Sequence, residues 1–181
     1  MGKSTLALHV AHTAFARGEL DWVLLIDASS ETTIEQSLRE IARLLEVPQR
    51  EGRGDLTTLS EDVVAFLRRR SDRRVVVVVD NLDHRRFLDA RRSPWNACLR
   101  GRADSSHTRV LVTSRLHPRL FVESGFAEAA RIHRVEEMGE ADGVTMLESV
   151  MGARIEDEAE REAAVSLVGP RGLAGLPLAI R

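Results

Sequence analysis

Five consecutive valines, Val75–Val79, constrain the fold more than any other stretch of this sequence. Valine is branched at Cβ and is enriched in strands, where it packs well on a pleated surface. Because the run is continuously apolar, we expect both faces of this strand to be covered, as in the parallel sheets of α/β proteins. Asp80 follows the run, so a carboxylate stands at the carboxyl end of the predicted strand.

Strands and helices alternate along the rest of the chain. Shorter apolar runs in Trp22–Ile26 and Arg109–Arg115 predict two further strands, and Ile132–Val135 predicts a weaker one. Apolar residues at helical spacing predict helices within residues 6–15, 34–45, 59–67, 140–151 and 158–168. This order predicts an α/β fold, in which helices flank an open, mostly parallel sheet.

The first two helices carry predictions about single residues. In the first, one apolar stripe is expected to face the core and Gly18 to end the helix. In the second, the pattern Thr32-x-x-Glu35 predicts a capping box at the helix start. The stripe consists of Leu6, Ala7, Val10, Ala11, Ala14 and Phe15.

The first helix is preceded by Gly2-Lys3-Ser4-Thr5. Gly2, Lys3 and Ser4 match the last three positions of G-x-x-x-x-G-K-[ST], a phosphate-binding loop between a strand and a helix. In such a loop the lysine reaches the β- and γ-phosphates and the serine hydroxyl binds Mg²⁺, while Thr5 would lie near the α-phosphate. Lys3 is the only lysine among 26 basic residues, which favours this interpretation over an ordinary polar N-terminus.

Polar side chains also follow the two longer downstream strands. Asp80 is a candidate Mg²⁺ ligand, directly or through water, because ligands bind at the carboxyl ends of parallel strands. A turn-forming Asp-Asn pair is the alternative there. Asp80 and Asp83 are the candidate catalytic carboxylates. Arg115 is a candidate contact for a γ-phosphate, with a solvated loop arginine as its alternative.

Composition excludes several classes of protein. The net charge is −2, so no strong electrostatic field favours binding to nucleic acid or to an anionic membrane. Aromatic residues make up 4% of the chain, so there are few side chains on which bases could stack. A single cysteine, Cys98, excludes an internal disulfide framework and fits a cytoplasmic location. Four arginine clusters are interpreted as solvated surface rather than a nucleic-acid patch: residues 68–70, 73–74, 85–86 and 91–92.

Four stretches, in this order, resemble the NB-ARC domain of the STAND class of P-loop NTPases, in its bacterial form. Gly2–Thr5 resembles the end of the Walker A motif, and Val75–Asp83 resembles the Walker B strand. Arg109–Arg115 resembles the sensor strand, whose arginine reads the γ-phosphate. Gly175–Leu178 resembles the GLPL motif of a small helical subdomain, which would place Pro177 against the nucleotide.

The resemblance implies a signalling switch that binds ADP or ATP with Mg²⁺. It implies a nucleotide-binding α/β domain over residues 1–136 and the start of the helical subdomain over residues 137–181. ADP would hold the switch closed, and ATP would open it toward protein partners or self-association. An output domain outside this chain would be regulated, and nucleic acid would be bound only through such a domain.

Two features depart from the family pattern. Asn81 stands where many members carry a second acidic residue, so hydrolysis is expected to be slow or absent. The family also has a strand and half of the phosphate loop before the position of Met1, so the chain is interpreted as truncated at both ends, with the first strand missing. An AAA+-like ATPase with real turnover and a degenerate, non-binding interaction module are the alternatives.

Overall fold

A computed structural model of the protein describes residues 2–48, 56–88, 107–124 and 132–169. The chain divides into two compact units, one of residues 4–132 and one of residues 133–181 together with residues 1–3. The functional boundary predicted between residues 136 and 137 stays a prediction. The predictions for Cys98 and for Gly175–Leu178 lie outside the described residues.

A parallel three-stranded sheet forms the centre of the larger unit. Its order is β1 (Trp22–Asp27), β2 (Val75–Asp80) and β3 (Thr108–Val112), with β2 between the other two. Val75 is paired with Trp22 on one side and with Thr108 on the other. All five valines of β2 are buried, which confirms the α/β fold with a covered central strand.

Helices cover both faces of this sheet. Val75, Val77 and Val79 point into a core shared with α2 and α3, while Val76 and Val78 pack against the first helix, α1. A short 3-10 turn follows β2 and a short helix follows β3. The bounds are α1 Lys3–Ala16, α2 Glu31–Leu44, α3 Leu56–Arg69, the 3-10 turn Arg85–Leu88 and α4 Pro118–Glu123. Among the described helices, none has the length and apolar character that a membrane span requires.

The buried face of α1 is narrower than the predicted stripe. Ala7 and Ala11 are the buried residues of this helix, whereas Leu6, Val10 and Phe15 are each about half exposed. The predicted stripe is therefore buried only in part, because the contact with β2 is made through two small side chains. The helix ends before Gly18 as predicted, since that glycine has a φ of +68°.

The start of α2 differs from the predicted capping box. Ser30 is the N-cap, and its hydroxyl accepts a hydrogen bond from the Thr33 backbone N–H at 3.1 Å. The Thr33 hydroxyl accepts one in return from the Ser30 N–H at 3.0 Å. The box at Thr32 and Glu35 was wrong because the helix already begins at Glu31, which places Thr32 inside the first turn.

The smaller unit contains α5 (Glu140–Met151) and α6 (Glu158–Val168), at the positions predicted from helical spacing. Its core is formed by Val144, Ile155, Ala164 and Val168. The weak strand predicted at Ile132–Val135 was wrong, since residues 132–139 have no regular secondary structure. Residues 132–134 are exposed, so burial of their side chains does not stabilise a strand in this segment.

Candidate functional site

The start of α1 has the backbone of an anion-binding helix terminus. Gly2 has a φ of +89°, in the left-handed region that glycine adopts without a steric penalty, and α1 begins at the next residue. The helix is 14 residues long and has no acidic side chain in its first turn. Its first backbone N–H groups therefore lack helical partners and carry the positive end of the helix dipole.

The carboxylate of Asp80 is held by Thr113, which directly follows β3. The Thr113 hydroxyl donates a hydrogen bond to Oδ1 of Asp80 and accepts one from the backbone N–H of Asn81 at 3.1 Å. Thr113 is buried, with 6% of its surface exposed. This leaves Oδ2 of Asp80 without a hydrogen bond to any described residue, so the carboxylate is oriented by one oxygen while the other is available to a cation.

Asn81 links the ends of β1 and β2. Its backbone φ is +61°, a left-handed conformation that asparagine tolerates better than most residues. Its side-chain amide lies 3.4 Å from Oδ1 of Asp27, toward which it donates. Asp27 and Asp80 are paired in register across the two strands, so a neutral amide rather than a third carboxylate lies beside these two acids.

Asp83 holds Arg115 at two points. The backbone N–H of Arg115 donates to Oδ1 of Asp83 at 2.6 Å, and its Nε–H donates to Oδ2 at 2.5 Å. The Asp83 side chain is only 15% exposed, whereas that of Arg115 is 78% exposed. A second link joins the same loops, because the Ser114 hydroxyl donates to the Leu82 carbonyl at 2.5 Å.

The structure brings some of the predicted site residues together. Asp80 is the last residue of β2, and Asp83 and Arg115 lie in the loops that follow β2 and β3 at the same edge of the sheet. Gly2 directly precedes α1, Lys3, Ser4 and Thr5 are its first residues, and Pro177 lies outside the described residues. The hydrogen bond between Thr113 and Asp80 was not predicted. Asp27 was also missed as part of this edge, yet it ends an apolar strand just as Asp80 does.

The donor groups suit a cation that is bound mainly by a ligand. The described residues contain no group of three or more His, Cys, Asp or Glu side chains that could hold a metal ion. Mg²⁺ commonly keeps several waters and binds through one or two carboxylates plus the phosphates of a nucleotide. One carboxylate with a free oxygen, at Asp80, and one hydroxyl, at Ser4, fit that chemistry.

Comparison with known families agrees with this chemistry. Residues 1–113 match the family model described as an AAA domain, a range that contains Gly2–Thr5 and all three strands but ends before Arg115. No curated protein matches the chain. An AAA-type P-loop domain suggests nucleotide binding, usually with Mg²⁺. Because the match covers more than half of the 181 residues, the chain belongs to the AAA domain family, as an AAA-like P-loop NTPase domain.

Proposed function

We propose that this chain is an adenine-nucleotide switch of the NB-ARC type within the STAND class, which binds ADP and ATP together with Mg²⁺. Exchange of the two nucleotides would act on protein partners or on self-association, and would regulate an output domain outside this chain, in the cytoplasm. The observation that carries the proposal is that Asp80, at the end of β2, and Arg115, in the loop after β3, lie at one edge of the sheet.

Phosphate binding is assigned to Gly2–Thr5. The backbone N–H groups at the start of α1 and the helix dipole both favour a bound phosphate. The ammonium group of Lys3, the only lysine in the sequence, would contact the β- and γ-phosphates. Ser4 and Asp80 would be the protein ligands of Mg²⁺, which would supply charge neutralisation for the phosphates when bound. Pro177 is assigned to the nucleotide on the family resemblance alone.

Arg115 is assigned to the γ-phosphate. Its Nε–H and backbone N–H are occupied by Asp83, whereas neither Nη group forms a hydrogen bond with a described residue. A guanidinium is planar and presents paired N–H groups that match phosphate oxygens, so Nη groups that no described residue uses suit this ligand. The presence or absence of a γ-phosphate would thus change the contacts of the loop after β3.

Slow or absent hydrolysis is the second part of the proposal. A general base beside Asp80 would have to accept a proton from water, and Asn81 carries an amide that cannot do so. Asp83 stays a candidate catalytic carboxylate together with Asp80, but its two oxygens already accept hydrogen bonds from Arg115. These observations support a site that distinguishes nucleotides rather than one that turns them over.

Calorimetric titration with ADP, ATP and GTP in the presence of Mg²⁺ tests nucleotide binding. We expect Lys3→Ala to weaken ADP and ATP binding by at least about tenfold, because a charge-assisted hydrogen bond contributes about 1.5–3 kcal/mol. Arg17→Ala, at an exposed arginine just after α1, is the matched control and should leave both affinities unchanged. Equal affinities in wild type and Lys3→Ala would refute the phosphate-loop assignment.

Steady-state hydrolysis separates the switch from its alternatives. A switch should bind both nucleotides and turn over ATP far more slowly than about 1 per second, the lower end for typical enzymes. Turnover within the ordinary enzyme range would instead support an AAA+-like ATPase. A chain that neither retains ADP during purification nor binds added nucleotide would be a non-binding interaction module, and the proposal would fail.

A further inference from the structure

The chain contains two aspartate–arginine pairs of almost the same design, at opposite ends of the sheet. Asp21 precedes β1 and accepts hydrogen bonds from the backbone N–H and Nε–H of Arg74 at 2.8 and 3.3 Å. Asp83 follows β2 and accepts bonds from the same two nitrogens of Arg115, one on each carboxylate oxygen, whereas both bonds from Arg74 go to Oδ2 of Asp21. In both cases one carboxylate fixes an arginine by its main chain and by the inner nitrogen of its side chain.

The two arginines differ in the hydrogen bonds that their Nη groups form. Nη2 of Arg74 donates to the Gly18 carbonyl at 2.7 Å, so its outer edge is used within the fold. Neither Nη of Arg115 has a partner among the described residues. The Arg115 side chain is 78% exposed, against 54% for Arg74. The first pair therefore joins the starts of two strands, whereas the second holds a guanidinium whose outer edge forms no hydrogen bond with the part of the chain that the structure describes.

We infer that Asp83 is a positioning residue, which presents the outer edge of the Arg115 guanidinium to the γ-phosphate and so gives the site its discrimination between ATP and ADP. This inference rests on the proposed function. An arginine without such a support would lose rotamer freedom only when the ligand binds, and that loss weakens binding. Asp83 removes the cost beforehand by fixing the side chain in the free protein.

This role differs from catalysis by Asp83. A general base must have an oxygen within reach of the attacking water, and each oxygen of Asp83 is within 2.6 Å of a nitrogen of Arg115. Removal of a base would lower the hydrolysis rate and leave nucleotide preference unchanged. Removal of a positioning residue would lower the preference for ATP over ADP and leave ADP affinity unchanged, because ADP has no γ-phosphate.

The test is calorimetric measurement of ATP and ADP dissociation constants, with Mg²⁺, for the full chain and its variants. Asp83→Asn should reduce the ATP-over-ADP preference by about two- to tenfold, the range expected when one flexible side chain has to be ordered on binding. Asp21→Asn, which weakens the equivalent pair at the other end of the sheet, should leave the preference unchanged. Arg115→Ala should reduce it at least as much as Asp83→Asn.

A double substitution completes the test. If Asp83 acts through Arg115, Asp83→Asn should have no further effect on the preference once Arg115→Ala is present. Arg115→Lys keeps the charge without the planar fork and should lose preference in the same way as Arg115→Ala. Asp83→Glu keeps the carboxylate but displaces it by one methylene group; it should also lower the preference, and it provides a second measurement should Asp83→Asn fail to fold.

Failure of the inference and failure of the proposed function give different results. Unchanged preference in Asp83→Asn, together with a loss in Arg115→Ala, overturns the inference alone. A loss of turnover without a change in preference overturns it in favour of a catalytic Asp83. Unchanged preference in Arg115→Ala removes the sensing role, and the inference with it, while nucleotide binding stands. Absence of any nucleotide binding in the wild type overturns both.

Discussion

Replacement of Thr113 by valine removes one hydroxyl from the carboxyl edge of the sheet and leaves the side chain's shape nearly unchanged. Two hydrogen bonds are lost, one donated to Asp80 and one accepted from the Asn81 backbone N–H at 3.1 Å. Valine offers neither a donor nor an acceptor in their place. Thr113 is buried, with 6% of its surface exposed, so water does not reach the position of the lost hydroxyl.

The cost follows from the two lost bonds. A neutral hydrogen bond contributes about 1 kcal/mol, and one to a charged group contributes about 1.5–3 kcal/mol. Asp80 is only half-buried, so water recovers part of the second term and we take about 1 kcal/mol for it as well. Thr113→Val should therefore lower the free energy of unfolding by about 2 kcal/mol, which for a chain of this size is a fall of about 4–8 °C in Tm.

Urea denaturation followed by circular dichroism measures this change. Thr113→Ser is the matched control, because it keeps the hydroxyl and loses only a methyl group, so its cost should be about 1 kcal/mol or less. Equal stability of wild type and Thr113→Val, or a larger loss in the serine variant than in the valine variant, would refute the argument that the hydroxyl fixes this edge.

Two further predictions concern other parts of the chain. A Cβ added at Gly143 in α5 would lie 3.0 Å from Cβ and 3.1 Å from Cγ2 of Val168, so Gly143→Ala should destabilise the protein by about 1–3 kcal/mol. In a Val168→Ala background the Cγ contacts are absent but Cβ remains, so the cost of Gly143→Ala should be smaller; thermal melts of the four proteins measure the difference, and an equal cost in both backgrounds would refute a role for the Val168 methyl groups. The backbone hydrogen bond from Arg74 lowers the pKa of Asp21 below its ordinary value of 3.8. The pair's modest contribution to stability is therefore present above about pH 3.8 and is lost as the pH falls through the lower pKa of the folded state. Urea midpoints of wild type and Asp21→Asn should differ near pH 6 and converge below pH 3.8, and a difference that persists at low pH would contradict this.

The sequence predicted those parts of the fold that depend on long apolar patterns. The run Val75–Val79 and the helical spacing in Glu158–Val168 each identify one element, because a single burial requirement acts along its whole length. The residue at which a helix starts was harder to predict. The cap at Ser30 competes with a second capping pattern two residues later, at Thr32 and Glu35, and the sequence pattern does not show which of the two forms.

The candidate site shows the same division. Asp80 and Arg115 were found because polar residues at the carboxyl ends of parallel strands have a common location. Their contacts with Thr113 and Asp83 were not predicted, although Asp83 was a candidate catalytic carboxylate, because a sequence does not state which hydroxyl or carboxylate a given side chain will contact. The narrow contact of α1 was missed for a related reason, because helical spacing shows which residues share a face but not how much of that face another element covers.

The links between the loops after β2 and β3 also set an order of events in folding. The side-chain hydrogen bonds that involve Thr113, Ser114 and Arg115 across these loops join residues 32 or 33 positions apart in sequence. Such contacts form only when a long loop is closed, and this closure costs conformational entropy. A helix forms between neighbouring residues and does not incur that cost. The backbone hydrogen bonds of α1 join residues close in sequence, whereas the arrangement around Arg115 requires β2 and β3 to have paired. A ligand that depends on that arrangement therefore binds only the native state and stabilises it by mass action.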